Sequence, residues 1–210
     1  MKKLLSILAL ASVTMCGALA ADTWLVDVSA LDMWIGKPSE VAAFRLAIPA
    51  GSNPTVYGVD LGFWGQSDRA WGVQVNLLLN EVNEKMGGAQ IAGCNIAAEA
   101  TGVQLGLWNS AVTLSGIQFG GLNTAETADF LQLGLGNYAT SMKGLQIGGW
   151  NNAPTFAGVQ LAFFNMSQSV VGYQIGLINK TDKMLGFQVG LINVITSSAL
   201  PVFPIFNCVF

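Results

Sequence analysis

The chain has 210 residues, 52% of them hydrophobic and only 10% charged, with 25 glycines, no histidine and a formal net charge of −3. That is one domain's length, with less charge than a soluble globular enzyme carries. Without histidine there is no Ser/His or Cys/His dyad and no imidazole metal site, and the acidic balance argues against nucleic acid as a partner.

At the amino terminus Lys2 and Lys3 precede an apolar run from Leu4 to about Val13, and Ala18-Leu19-Ala20 supplies the small-residue pattern that signal peptidase reads. Residues 1–20 are therefore expected to be a signal peptide cleaved after Ala20, because the run is shorter than the roughly 20 residues a transmembrane helix needs. A lipid anchor on Cys16 is the alternative, and Val13-Thr14-Met15 is a poor approach to it. Cleavage removes two of nine basic residues and no acid, leaving seven against twelve. Only Cys94 and Cys208 remain, too far apart in sequence for a disulfide framework or a cysteine metal site.

Residues 21–57 are the least regular part. Trp24, Val26 and Val28 alternate with polar residues, as in a leading strand followed by a loop. Ala43-Phe44-Arg45-Leu46-Ala47-Ile48 aligns with GVDLGF at Gly58 as a degenerate first repeat, and AGSNPT (50–55) carries turn residues between them. Gly58 and Gly72 open two further copies. The next step, to Gly88, is two residues longer than the rest, and the charged segment Glu81–Lys85 is expected to hold the extra residues as a solvated loop.

From Gly88 one phrase recurs at a fixed 14-residue step: GAQIAGCN, GVQLGLWN, GIQFGGLN, FLQLGLGN, GLQIGGWN, GVQLAFFN, GYQIGLIN and GFQVGLIN, opening at residues 88, 102, 116, 130, 144, 158, 172 and 186. With the opening residue as position 0, positions 1 and 3 are apolar. Position 2 is glutamine at Gln74, Gln90, Gln104, Gln118, Gln132, Gln146, Gln160, Gln174 and Gln188. Such alternation is the period of a β-strand, and it predicts that the Val/Leu/Ile face is buried and the Gln face turned away. Position 7 is asparagine at Asn95, Asn109, Asn123, Asn137, Asn151, Asn165, Asn179 and Asn193, a corner residue that tolerates a bend. The tandem repeats cover residues 58–193, and 194–210 reads as a C-terminal strand.

Two all-β architectures can use such a unit. In a β-solenoid each unit is one coil, and equivalent Gln and Asn side chains stack into structural ladders along the axis. Asn193, beside the last coil, would then be less supported than Asn137 in the middle. In an up-and-down outer-membrane barrel of about 12 strands, positions 1, 3 and 5 would give an outward band of roughly 15 Å against the 25 Å required. Barrel turns should also alternate in character with every second unit, and they do not. The solenoid is the expected fold. Exposed aromatics at position 6 (Trp108, Trp150, Phe164) would then form an apolar stripe of the kind that contacts membranes or partners.

The phrase GVDLGFWG, the repeated units such as GYQIGLIN and GFQVGLIN, and the ending LPVFPIFNCVF after a signal peptide together resemble the leptospiral-type bacterial surface-repeat family. The resemblance spans about Phe44 to Phe210 and implies an exported surface or outer-membrane protein without an enzymatic role. IGGWNNA (147–153) is also similar to the 14-residue head repeats of trimeric autotransporter adhesins, although Thr or Ser stands at their second glycine and their stalk is missing.

No catalytic constellation assembles in the sequence. Asp60 with Asp68 and Glu81 with Glu84 are the candidate carboxylate pairs, and spacing alone does not make either a hydrolase or calcium site. The row Thr113, Thr127, Thr155 is interrupted by Lys183, which breaks the flat hydroxyl face an ice-binding protein would need. The expectation is a non-enzymatic, exported structural or adhesin-like protein without cofactor, with an envelope or host partner of unknown identity. The alternative is a small outer-membrane channel.

Overall fold

The computed structural model of the chain describes residues 23–28 and 39–209, all strand apart from a few turn and bend residues. Residues 1–22, 29–38 and 210, which include the expected signal peptide and the expected loop after the leading strand, lie outside the described residues. The order is β1 (Thr23–Val28), β2 (Glu40–Asn152), β3 (Thr155–Met166), β4 (Ser169–Thr181), β5 (Lys183–Ile195) and β6 (Val202–Val209). By contacts the chain divides into two compact units, Met1–Ala97 and Ala98–Phe210.

Each unit is a β-solenoid. In the second, Gly144, Gly158, Gly172 and Gly186 are successive register partners in parallel pairing, as are Gln146, Gln160, Gln174 and Gln188. The up-and-down barrel is thereby excluded, since its neighbouring strands run antiparallel. Only β6 reverses, pairing antiparallel with β5 from Gly186↔Val209 to Val194↔Val202. The chain thus folds back over the last coil, and β6 satisfies main-chain groups that the stack would otherwise leave open.

In the first unit β1 pairs with β2 in parallel, Asp27 beside Arg45, and Gly58 lies over Ala43, which makes residues 43–48 the degenerate first coil. The 16-residue step from Gly72 is absorbed differently from the sequence expectation. Asn80 and Val82 hold the inward corner positions and Met86 the last inward position, so one extra residue falls in 77–79 and one in 83–85. Residues 81–85 are strand, not loop, with Val82 buried. AGSNPT likewise continues the coil, with Asn53 and Thr55 buried.

The strand period matches the sequence expectation, and the buried face is the opposite one. Every Gln of position 2 from Gln90 to Gln188 is 0% exposed, whereas Leu107 and Leu135 at position 5 are 78% and 77% exposed. The apolar residues of positions 1 and 3 also face outward, half-buried or exposed. Inside each coil lie the amides, small residues such as Ala111, Ala125 and Ala139, and one apolar side chain of variable size: Leu114, Met142, Phe156, Val170. The reason is spatial. A 14-residue coil encloses a narrow interior, and position 4 lies inside it beside the Asn column. There a Cβ on Gly134 would come 2.6 Å from Asn123 Nδ2, and Ala162 is the largest residue this position holds in the second unit. Leu or Trp at every coil would overfill that space, whereas planar amides stack at the strand spacing.

Position 0 requires a left-handed backbone: its glycines have φ from 95° to 149°, and at Gly144 a Cβ would collide with the Phe130 carbonyl. Phe130 is the exception among the repeats, at φ 112° with its ring 64% exposed. It carries strain without burying its ring. Phe130→Gly should therefore raise stability by about 1 kcal/mol, and Gly144→Ala should lower it by about 2 kcal/mol or more, measured by denaturant unfolding.

Candidate functional site: buried amide ladders and an apolar outer sheet

The side chains that assemble are the Gln and Asn columns. In the second unit Gln118 Nε2 donates to Gln104 Oε1 at 2.9 Å, and the same bond recurs at each coil up to Gln188 Nε2 to Gln174 Oε1 at 2.7 Å. At several coils the same Nε2 also donates to the main-chain carbonyl of position 8, as in Gln118 to Thr124. An amide has two donor hydrogens and one acceptor oxygen, so such a column satisfies its interior members without water.

The Asn column runs the other way. Asn109 Nδ2 donates forward to Asn123 Oδ1 at 2.9 Å, and this repeats through Asn179 to Asn193. The second hydrogen reaches the position 3 carbonyl of the next coil, as in Asn137 to Ile147 at 2.8 Å. The two columns point their amide dipoles in opposite directions, so their fields largely cancel inside the coil. Asn193 is not an unsupported end, contrary to the sequence expectation. It accepts from Asn179 and donates to Phe203 of β6 and to Gly190.

The first unit ends its glutamine column on charge. Gln90 Nε2 donates to Gln74 Oε1, and Gln74 Nε2 to Asp60 Oδ2. The donors of the column all point toward this end, so a carboxylate is the matching terminal acceptor. Asp60 also accepts from Asn76 and forms a two-pronged ion pair with Arg45, Nε to Oδ1 at 2.8 Å and Nη2 to Oδ2 at 2.6 Å, both side chains fully buried. Gly65 stands where later coils have Asn, because a Cβ there would lie 2.5 Å from both Asp60 Oδ2 and Asn76 Nδ2. The carboxylate of Asp27, in register with Arg45 and also buried, makes no hydrogen bond among the described residues.

Three of the carboxylates considered in the sequence have other partners. Asp60 is taken by Arg45, Asp68 accepts from Asn83, and Glu84 lies 3.6 Å from Arg69 at an exposed position. Among the described residues no three Asp, Glu or Cys side chains gather in a way that could hold a metal ion.

The outer sheet is the second feature. In the seven coils opening at residues 102 to 186, positions 0 to 6 contain no charged residue, while Lys143, Lys180, Lys183, Glu126, Asp129 and Asp182 all lie at positions 8 to 13. Along this face a groove of about 560 Å3 runs between the position 3 and position 5 side chains, floored by Gly148, Ala162, Gly176 and Gly190 and bounded by Leu161, Leu177, Val189 and Ile205. No polar side chain lines it. Tyr173, Phe187 and Phe206 stack along its flank with ring centroids 4.3 and 5.7 Å apart.

No protein-family model, curated protein or solved structure matches the chain.

Two stability predictions follow from the ladders. Asn137→Leu removes acceptor and donors together, so that Asn123 Nδ2 loses one of its two acceptors and Asn151 Oδ1 and the Ile147 carbonyl each lose a donor in a closed interior. It should cost about 2 to 4 kcal/mol, and Asn193→Leu, bonded on both sides, about as much, both read by chemical denaturation. At the charged end, Arg45→Gln alone should cost about 3 to 5 kcal/mol by stranding Asp60. The double change Arg45→Gln with Asp60→Gln extends the amide column and should recover most of that loss, a non-additivity that a double-mutant cycle measures directly.

Proposed function

We propose that this is an exported bacterial surface or outer-membrane repeat protein with a structural, adhesin-like role, acting through an extended surface and without catalysis. The observation that supports this most is the division of each coil of the second unit into a polar interior of laddered amides and a charge-free apolar outer sheet. The interior amides are consumed in the ladders, and what positions 1, 3, 5 and 6 turn outward is contact surface. The signal-peptide pattern of residues 1–20 and the resemblance of the repeats to surface-repeat proteins support the location. A channel is a weaker reading, since that role was tied to a barrel and the interior of each coil is occupied by amides.

Location is tested in the producing cell. Mass spectrometry of the purified protein should find Ala21 at the amino terminus, and protease added to intact cells should digest it. A retained Met1 in a protease-resistant cytosolic fraction would contradict the proposal.

A further inference from the structure

We propose that β6 is a polarity-matched end cap, in which Asn207 donates its side-chain Nδ2 hydrogen to Gln188 Oε1 and so closes the glutamine column at its far end. The inference does not depend on the location proposed above.

The first argument is the direction of the two columns. The glutamine donors point back along the chain, so the last member, Gln188, directs Nε2 to Gln174 Oε1 and the Val194 carbonyl and keeps an open oxygen. The asparagine donors point forward, so that column ends on a donor, Asn193 Nδ2, which the Phe203 carbonyl of β6 accepts from. A cap on this end of the stack therefore has to offer one acceptor and one donor, at two different places. Phe203 is the acceptor.

The second argument is placement. β6 runs antiparallel to β5, and its register sets Asn207 directly opposite Gln188. Paired residues on neighbouring strands turn their side chains to the same face, with Cβ atoms about 4.5 to 5.5 Å apart, a separation that a side-chain amide bond can bridge. Both side chains are buried, and among the described residues Gln188 Oε1 has no donor and Asn207 Nδ2 no acceptor. The proposed bond requires only rotation of side chains, because the main chains are already paired at this position. Each buried group costs free energy while it is unpaired, and one bond relieves both.

The third argument is composition. Residues 194–210 contain no other Asn or Gln and no charged residue. The one amide of the segment falls opposite the one glutamine of the column whose oxygen is open. Such a cap matters to a repeat stack, because a last coil left bare is a strand edge open to pairing with other chains.

The test is hydrogen exchange in the full chain, read by NMR. In the wild-type protein the Asn207 side-chain NH2 should exchange as slowly as that of Gln146, and exchange at the rate of a free amide would overturn the proposal. Asn207→Leu nearly keeps the volume and removes the donor. It should speed up exchange of the β6 main-chain amides that bond to β5 by about 10-fold, with the amides of β3 unchanged. In a Gln188→Met background, where the open oxygen is gone, the same change should have little further effect. If Asn207 made no bond, Asn207→Leu would only remove a buried unpaired donor, and β6 exchange would slow or stay the same. That result, or an acceleration of equal size in the Gln188→Met background, would overturn the proposal. The wild-type exchange and the sign of the Asn207→Leu effect decide it even where Gln188→Met does not fold.

Discussion

The hydrogen bond between equivalent side-chain amides of successive coils is the interaction on which the rest of this structure depends. A buried amide without partners costs several kcal/mol, and one in each coil at the same position would be ruinous if each had to find its own solution. Translation by one coil solves all but the last of them at once: the oxygen of one glutamine meets the Nε2 of the next at 2.7 to 2.9 Å from Gln104 to Gln188, and only Gln188 Oε1, at the end of the column, has no donor among the described residues. The strict 14-residue step is the consequence. A coil of another length displaces its amide from the column, and the one long coil, from Gly72, keeps its place only by bulging on both sides of Asn80.

Once the interior is polar, the exterior must carry the apolar residues that the composition demands. The alternation that places Gln inward places Val, Leu, Ile and aromatic residues outward. Stability then rests on ladders of main-chain and side-chain hydrogen bonds, with a modest apolar contribution from residues such as Leu114, Met142 and Phe156 at one inner position. The same geometry explains the special end. Column donors converge on the first coils, and there the amide is replaced by the Arg45–Asp60 pair, whose carboxylate accepts what no earlier glutamine is present to accept.

Much of this was legible in the residues, and the part that was not has a definite cause. The spacing of Gly88, Gly102 and their successors gave coil length and parallel stacking, and the recurrence of Asn at the corner gave the ladder. The inward face was misassigned because alternation identifies two faces without saying which is buried, and apolar-inward is the common outcome. Two signals pointed the other way. Glycine at position 4, as at Gly120 and Gly134, is needed only where a side chain would be inside, and Trp108 and Trp150 at position 6 are too large for a 14-residue coil to enclose. Arg45 opposite Asp60 was hidden because 15 residues separate them in a degenerate coil where the glutamine signature is absent. The support of Asn193 by β6 depends on a chain reversal after Ser198 that no periodicity announces.

The central claim is that the amides are inside and the aliphatic side chains outside, and hydrogen exchange of side-chain amides reads this most directly. In two-dimensional NMR with glutamine and asparagine side chains assigned, the NH2 groups of Gln132, Gln146 and Asn137 should exchange far more slowly than those of a free amide, while the methyl groups of Leu107 and Leu135 broaden with a dissolved paramagnetic agent. Glutamine amides that exchange at the free rate, with leucine methyls shielded from the agent, would show the opposite orientation and contradict the account.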